Sequence, residues 1–362
     1  MTVLFYCNTN MQLINAVNLK LTRYKNDVVD IIFSDHTNNS ETVASRAQTC
    51  GLFRTVKFIK SKNYIYNSKG KDRIQDVVDL TVKRYGNFKN YIISEDYTCD
   101  ELYYYNNDLI LYAIYDLSIR NGVKPKCIRM EESLTTYGEL SNIYGSTMKA
   151  INRIRKVLNQ PGVISDTKTF ACYCPELLKL REGEATIAIP ALDRTNSKLL
   201  EILNYIFHYD PNLEDYHEKY IYFATSMDVD GHPVGETELV LDIAKKVGNN
   251  NILIKAHPRD KRTVFQDNGL RVLQASAVPW EIIQLNNSFS KNCFLSISSS
   301  SILNATAMLN DEIETYFLYP LVLGRNEYFD KMAKDEIQAT LNKLHSRGRC
   351  TCIKTMADLD SL

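Results

Sequence analysis

The chain has 362 residues, of which 43 are basic and 43 acidic. This length predicts two domains, each large enough for its own core. The balanced charge excludes a global field that would draw the protein to nucleic acid or anionic lipid, so any anion site must be local. Hydrophobic residues make up 44% and charged residues 24% of the chain, as in a soluble globular protein.

Cysteine usage and the absence of apolar runs predict a compartment. The chain has 9 Cys, and its two Cys-x-Cys pairs (172/174 and 350/352) lack the spacing of common zinc or redox sites. The opening Met1–Cys7 has no basic leader and is not typical of a signal peptide. No run approaches the roughly 20 apolar residues that span a bilayer. We therefore expect reduced thiols in a cytoplasmic protein, with no bound cofactor.

Strands alternate with helices in the first half, which predicts a parallel, doubly wound sheet. In chain order the apolar patterns predict these elements: strand 3–7, helix from 10, strand 28–33, helix 42–50, strand 56–59, helix 72–85, strand 91–93, helix 109–119, strand 126–130, helix 148–158 and a Cys-Tyr-Cys strand at 172–174.

The second half repeats the alternation after a polar stretch. Its predicted elements are strand 220–223, helix 236–246, strand 252–254, strand 270–273, helix 279–285, strand 293–297, a helix from 302 and strand 316–323. We predict one α/β domain over 1–212, a second α/β domain over 213–335 and a helical or irregular tail over 336–362.

A histidine follows the second strand of the second half, in the sequence Ile252–Asp260. Pro258 ends this strand and restricts His257 to an extended conformation. Open α/β sheets bind ligands at the carboxyl ends of their strands. The cations Lys255 and Arg259 on either side favour an anionic ligand, although Gly231-His232-Pro233 shows that a His-Pro pair recurs without such a context.

A serine run, Ser298–Ser301, lies between a buried strand and an apolar helix. Serine caps helix amides, and a helix amino terminus carries partial positive charge. Ser299, Ser300 and Ser301 are therefore candidates for a phosphate site without a basic residue. The alternative is that one serine caps the helix and the others only fill the turn.

Two carboxylates, Glu131 and Glu132, follow the strand that ends at Met130. Adjacent carboxylates repel, so one can have a raised pKa and act as a general base. The alternative is an ordinary acidic first turn of a helix. Asp230 stands in the stretch Asp228-Val229-Asp230-Gly231, which is similar to a metal-binding or phosphatase motif. A phosphatase motif would have a Thr downstream, where His232 stands here.

The order of these motifs resembles glycosyltransferase family 52, the bacterial lipooligosaccharide and capsule α-2,3-sialyltransferase-like group. The opening Cys7–Leu13 resembles that family's first strand, Thr-containing turn and Gln-Leu helix. The family has two acidic residues followed by Gly, whereas Ser133 stands in the Gly position here. The resemblance implies a GT-B-like α/β fold, with two doubly wound Rossmann-like domains facing a central cleft. It also implies that the domain over 1–212 is the acceptor side and that the domain over 213–335 binds the nucleotide sugar.

The same resemblance implies an inverting, metal-independent transfer of sialic acid from CMP-sialic acid to a galactoside of a bacterial surface glycan. His257 would act as acid to the departing phosphate, and Glu131, Glu132 or Asp230 as base. The remaining implied contacts are with the donor, through Lys255, Pro258, Arg259, Ser299, Ser300 and Ser301, and with the acceptor, through Asn8, Thr9 and Gln12. The implied partners are the nucleotide-sugar donor and an oligosaccharide or glycolipid acceptor, with contact at the inner membrane face and a homodimer as further expectations.

Two alternatives stay open on the sequence. One is a related transferase that uses UDP-hexose or CDP-glycerol, since the latter enzymes also combine His-Pro with a serine turn. The other is a non-catalytic nucleotide- or sugar-binding relative that has lost its base, which Ser133 favours.

Overall fold

The chain forms two compact units in a computed structural model, which describes residues 1–62, 78, 88–132, 134–137, 146–212, 215–274, 277–333 and 350–361. Unit 1 comprises Met1–Glu132, Glu139–Pro190 and Ser197–Phe207. Unit 2 comprises Ser133–Gly138, Ala191–Asn196 and His208–Leu362. The chain therefore passes from one unit to the other more than once, and all residues after Phe207 belong to unit 2.

Unit 1 is built on a 7-stranded parallel sheet in the order β3-β2-β1-β4-β5-β6-β7. Its strands are β1 (Thr2–Cys7), β2 (Val28–Ser34), β3 (Thr55–Ile59), β4 (Glu101–Tyr104), β5 (Lys126–Met130), β6 (Thr169–Cys172) and β7 (Ala185–Ala188). The β1, β4 and β5 side chains are almost entirely buried, because helices cover both faces of a doubly wound sheet.

The described helices of unit 1 connect these strands. They are α1 (Asn10–Thr22), α2 (Ser40–Thr49), α3 (Leu109–Arg120), α4 (Ser146–Val157), α5 (Val163–Asp166) and α6 (Ser197–Phe207). Thr9 caps α1, with its hydroxyl accepting the Gln12 amide at 3.4 Å. Asp108 caps α3 through the Leu111 amide at 2.9 Å. Both caps follow the carboxyl end of a central strand, which brings polar side chains to that edge.

Unit 2 has a 6-stranded parallel sheet in the order β10-β9-β8-β11-β12-β13. Its strands are β8 (Tyr220–Phe223), β9 (Ile252–Lys255), β10 (Arg271–Val272), β11 (Cys293–Ser296), β12 (Glu314–Phe317) and β13 (Cys350–Cys352). Its described helices are α7 (Glu236–Val247), α8 (Val264–Asp267), α9 (Trp280–Asn286), α10 (Ser301–Met308) and α11 (Glu327–Met332).

Both sheets reverse their direction of winding beside their first strand. In unit 1 the chain runs outward from β1 to β2 and β3, then returns to place β4 on the other side of β1. Unit 2 repeats this pattern around β8, with β9 and β10 on one side and β11 on the other. Such switch points leave a crevice at the carboxyl ends of the strands, where ligands of open α/β sheets bind. The expected pair of Rossmann-like α/β folds is thus confirmed.

The strand predicted at 91–93 is wrong, and the strand beside β1 is Glu101–Tyr104. Tyr103 and Tyr104 are fully buried and pair with β1 and β5. Tyr91 and Ile93 instead pack against the core from an irregular segment, where Lys57 Nζ donates to the Ile92 carbonyl. An apolar run signals burial, and burial does not by itself require a ladder of hydrogen bonds.

Other differences concern elements that the sequence analysis did not predict or placed elsewhere. Strand β7 and helices α5, α8 and α11 are absent from the prediction. Helix α6 is absent from the sequence prediction, the Cys-Tyr-Cys strand ends at Cys172, and the last predicted strand lies earlier, at Glu314–Phe317. The tail predicted as helical or irregular contributes Cys350–Cys352 as an edge strand beside β12. The helix predicted at 72–85 falls outside the described residues, apart from position 78.

All nine cysteines are free of disulfide bonds. Among the described residues, none of the helices is both long and apolar enough to cross a membrane.

Candidate functional site

His257 lies two residues beyond β9, at the carboxyl edge of the unit 2 sheet. Its Nδ1 accepts the backbone N–H of Arg259 at 3.2 Å, and its carbonyl accepts the amide of Asp260 at 2.9 Å. Because Nδ1 is an acceptor, the neutral ring carries its proton on Nε2. The turn that Pro258 imposes therefore leaves Nε2–H as the donor that His257 can offer to a ligand.

The surroundings of His257 keep the ring neutral. Burial, and then the cations of Arg259 and Lys255, lower its pKa to about 4, against a smaller opposing effect of Asp230 and Asp260. A neutral imidazole at physiological pH donates a hydrogen bond without already being charged. An arriving phosphate would favour the protonated form, since a nearby opposite charge raises the pKa of a base.

Arg259 is held beside His257 by two groups from the loop after β8. Its guanidinium donates to Ser226 Oγ at 2.7 Å and pairs with the Asp230 carboxylate at 2.9 Å. Arg259 remains mostly exposed on its other side, with 63% of its side chain accessible. Asp230, the rival base of the sequence analysis, is engaged by this cation in the structure. Lys255 lies near Phe223 and has a pKa lowered by burial.

The serine turn is organised by Ser296, the last residue of β11. Its hydroxyl donates to the Phe223 carbonyl at 2.7 Å and accepts the amides of Ser298 at 3.2 Å and Ser299 at 2.9 Å. Ser299 Oγ accepts the Ser301 amide at 3.4 Å. Ser298 to Ser301 are only partly buried, so their side chains line the edge that the neighbouring strands β8 and β9 also reach.

Asp228, the first acidic residue of the stretch 228–231 in unit 2, has a structural role. Asp228 accepts the amide of Val234 at 2.9 Å and both the amide and hydroxyl of Thr237 at 3.3 Å, and so fixes the approach to α7. Within the described parts of the chain, acidic, histidine and cysteine side chains form no group of three arranged to hold a metal ion.

Glu236, which the sequence analysis missed, is buried at the start of α7. It accepts from Thr225 Oγ1 at 2.5 Å and from the Tyr222 hydroxyl at 3.0 Å. Burial raises its pKa to about 7, although the bonds from Thr225 and Tyr222 oppose the shift. An acidic residue that opens a helix is so common that the sequence alone does not single it out.

In unit 1 the two adjacent carboxylates have different environments. Glu131 is 3% exposed and its carboxylate accepts the backbone N–H of Tyr173 at 2.7 Å. Its backbone also joins β6 and α1, through Ala171 and Asn15. Glu132 is less buried, and its side chain turns towards α1. Glu131 thus ties β5 to β6 and α1, while the Glu132 side chain is partly exposed and bonded to Gln12.

Gln12 connects Glu132 to the end of β1. Its Oε1 accepts the backbone N–H of Asn8 at 2.6 Å, and its Nε2 donates to Glu132 Oε2 at 2.5 Å. Asn8 Nδ2 in turn donates to Ser34 Oγ at 3.0 Å. Asn8 and Gln12 are both 0% exposed, so direct contact with an acceptor would require them to move. Thr9 is partly exposed and lies at the same edge.

Burial raises the pKa of Glu132 to about 7. Hydrogen bonds from Thr9 and Gln12 and the charge of Arg129 oppose this shift without cancelling it. A carboxyl group that titrates near neutrality is suited to accept a proton in catalysis. Arg129, a buried β5 residue next to the Tyr105 ring, was not singled out by the sequence because it lies within an apolar strand. Ser133 lies outside the described residues.

This chain is similar to known proteins in structure but not detectably in sequence. The sequence matches no protein-family model and has no significant similarity to a curated protein. The α/β-galactoside α-2,3-sialyltransferase of Photobacterium phosphoreum superposes with a TM-score of 0.52 at 11% identity, covering 100% of this chain and 99% of that one. The UDP-GlcNAc 2-epimerase of Methanocaldococcus jannaschii gives a TM-score of 0.52 at 10% identity, covering 100% and 91%.

A third similar structure is the glycotransferase of kitacinnamycin, with a TM-score of 0.52 at 10% identity over 100% of this chain and 87% of that chain. At this identity the likeness establishes a fold. The chain has the GT-B fold, with two Rossmann-like α/β units.

Proposed function

We propose that this protein is a sugar transferase that uses a nucleotide donor, with Glu132 as the general base. The observation that carries the proposal is the environment of Glu132: a carboxyl group of pKa about 7, held by Gln12 at the carboxyl edge of the unit 1 sheet. A carboxyl group that titrates near neutral pH and lies partly exposed at a strand edge where ligands bind is suited to a catalytic base, whereas Glu236, whose pKa is also raised to about 7, is buried against Tyr222 and Thr225. This favours an enzyme over a non-catalytic relative.

The proposal assigns the donor phosphate to unit 2. The half-buried serines of the turn, the Nε2–H of His257 and the cations Arg259 and Lys255 supply donors and positive charge around one strand edge. Pro258 supports this group by holding the turn after β9. Preorganised donors of this kind stabilise the charge that develops on a departing phosphate.

The proposed reaction is a single displacement that inverts the anomeric centre. Glu132 takes the proton of an acceptor hydroxyl while that oxygen bonds to the anomeric carbon. The bond between this carbon and the phosphate oxygen breaks, and its electron pair leaves with the nucleotide monophosphate. The neutral His257 ring keeps its proton and donates a hydrogen bond from Nε2–H to the departing oxygen. Thr9 remains a candidate acceptor contact, whereas Asn8 and Gln12 act through Glu132.

The finer proposal is that the donor is CMP-sialic acid and the acceptor a galactoside. The order of the carboxylate pair, His-Pro and serine turn, which resembles bacterial sialyltransferases, supports it. The likeness to the Photobacterium phosphoreum sialyltransferase is compatible with it. The same fold in a UDP-GlcNAc 2-epimerase means that the fold alone does not choose the donor. UDP-hexose and CDP-glycerol are the alternatives to be tested.

The test is product formation from each donor with a panel of galactosides, comparing wild type with Glu132→Gln. We expect release of CMP that depends on both acceptor and Glu132, together with a sialylated product. Turnover of UDP-hexose or CDP-glycerol but not CMP-sialic acid would keep the transferase and replace the donor. Binding of CMP without turnover of any donor would overturn the enzymatic proposal.

A further inference from the structure

Helix α4 is fixed to unit 1 by one of its faces. Ile151 is 5% exposed and belongs to the apolar core around α3. Asn152 Nδ2 donates to the Tyr112 hydroxyl at 2.5 Å, and Arg155 Nη1 donates to Asp116 at 2.9 Å in a buried ion pair. These contacts set the rotation of the helix about its axis.

The last turn of α4 and the residue that follows it expose large apolar side chains. Ile154 is 46%, Val157 85% and Leu158 50% exposed, and their spacing of three and four residues places them side by side on a helix. Arg153 and Lys156 are exposed next to them. Residues 140–165 contain no Asp or Glu, so this surface is locally cationic in a chain of net charge +0.

We propose that this exposed patch at the carboxyl end of α4, formed by Ile154, Val157 and Leu158 with Arg153 and Lys156, docks on an anionic phospholipid surface. Exposed apolar groups that are contiguous indicate an interaction site. A helix with apolar side chains beside cations inserts shallowly among headgroups, where each cation adds attraction to anionic lipid. The charge of the patch is complementary to such a surface.

A second copy of the chain fits this patch less well. A stable dimer buries about 800 Å² on each partner, and side chains from little more than one helical turn cover much less. The patch would also bring two cationic surfaces together in a symmetric dimer. A lipid surface satisfies both the apolar and the charged groups without these objections. The inference goes beyond the proposed transfer reaction and does not depend on it.

The experiment is sedimentation of the full-length protein with vesicles of phosphatidylcholine alone and of phosphatidylcholine mixed with phosphatidylglycerol. Two double variants separate the contributions: Val157→Ser with Leu158→Ser, and Arg153→Glu with Lys156→Glu. The matched control is Leu180→Ser with Leu323→Ser, which removes exposed apolar side chains elsewhere (42% and 46% exposed). Circular dichroism and the melting temperature verify that each variant is folded.

Wild type and control should bind the anionic vesicles, with binding that weakens as salt increases, because salt screens the cations. Each α4 variant should lower the partition coefficient by about tenfold or more, since each removes one of the two contributions. Equal binding by wild type and both α4 variants, or no binding by wild type, overturns the proposal. So does a wild-type dimer in solution that Val157→Ser with Leu158→Ser dissociates, because the patch is then a protein interface.

Discussion

Glu131 and Glu132 are adjacent in sequence, but their side chains have different environments, and we expect them to have different roles. Glu131 accepts a backbone amide inside the sheet, whereas Glu132 meets α1 and has a pKa raised by burial to about 7. We expect Glu132→Gln to lower kcat by roughly 10²–10⁴-fold, the usual scale for a lost general base. Glu131→Gln keeps an oxygen for the Tyr173 amide and should retain activity within a few-fold.

Steady-state kinetics on both variants test this assignment. In the wild type kcat/KM should fall as the pH decreases below about 7, because protonated Glu132 cannot accept a proton. If both glutamine variants stay active and Asp230→Asn is inactive, the base lies in unit 2.

Gln12 should set the pH at which Glu132 works. Gln12→Leu removes a hydrogen bond to the carboxylate, and that bond favours the ionised form. The pKa of Glu132 should therefore rise, and the acidic limb of kcat/KM should move to higher pH, with activity recovering in alkaline buffer. A pH profile of the variant measures this shift.

Asn15→Leu is the matched control for Gln12→Leu. Asn15 is also fully buried in α1. Its Nδ2 donates to the Glu131 carbonyl at 3.1 Å, and its Oδ1 accepts from the Tyr173 hydroxyl at 2.6 Å. Both variants should melt at lower temperature, but the pH limb should move in Gln12→Leu alone. An unchanged limb in folded Gln12→Leu would show that this contact is structural.

His257 should matter more in the transition state than in binding. His257→Ala is expected to lower kcat roughly 10²–10⁴-fold, with a smaller loss of CMP affinity because the serine turn still holds the phosphate. His232→Ala is the control, since His232 stacks on the Tyr328 ring at 4.2 Å between centroids. The measurements are kcat, CMP affinity and melting temperature. Wild-type turnover by folded His257→Ala would remove His257 from the mechanism.

At the scale of elements, the serine turn depends on the end of β11. Ser296→Ala removes the hydroxyl that joins the Phe223 carbonyl to the Ser298 and Ser299 amides. Leaving the buried Phe223 carbonyl and the partly buried serine amides without this partner costs roughly 1–3 kcal/mol of stability. A loosened turn should weaken CMP binding by about tenfold, or ~1.4 kcal/mol. Calorimetry measures the affinity. Ser288→Ala, an exposed serine, should change neither quantity, and unchanged CMP affinity in Ser296→Ala would separate the turn from the nucleotide.

The pattern of apolar residues correctly predicts those elements that are buried along most of their length. Lys126–Met130 and Tyr220–Phe223 have the predicted bounds because each is a short apolar run in the middle of a sheet. Tyr103 and Tyr104 break the rule, since a Tyr-rich run is as typical of a surface as of a central strand. Their burial depends on β1 and β5, which are distant in sequence.

The candidate site was predictable as residue types but not as contacts. Pro258 fixes the local backbone, so the sequence can place His257 after a strand. The bond between Gln12 and Glu132 joins residues 120 apart, and no local pattern reports it. The same holds for Glu236, whose raised pKa comes from burial by the surrounding fold. Tertiary contacts thus distinguish Glu132 from Glu131, which the sequence leaves equivalent.

At the scale of the molecule, the two sheets wind in the same way but carry different chemistry at their switch points. Unit 1 has a carboxylate there, held by the buried amide of Gln12, which suits a hydroxyl acceptor. Unit 2 has hydroxyls, an imidazole and cations, which suit a phosphate. A whole-protein ligand response should reflect this division. Nucleotide binding should stabilise the protein through unit 2 alone, without help from a metal ion.

We therefore expect CMP to raise the melting temperature in the presence of EDTA. A ligand at a hundred times its Kd stabilises the folded state by about 2.7 kcal/mol, which for a domain of this size corresponds to roughly 5–10 °C. CMP should stabilise more than UDP, with CDP as the intermediate comparison, and turnover should persist in EDTA because serine and histidine donors meet the phosphate.

Loss of both stabilisation and turnover in EDTA, restored by Mn²⁺, would instead direct attention to Asp228 and Asp230 as metal ligands. In that case Asp230→Asn should abolish the Mn²⁺ effect while leaving the fold intact. Asp230 pairs with the exposed side chain of Arg259, and it is Asp228 that accepts from Val234 and Thr237 at the approach to α7.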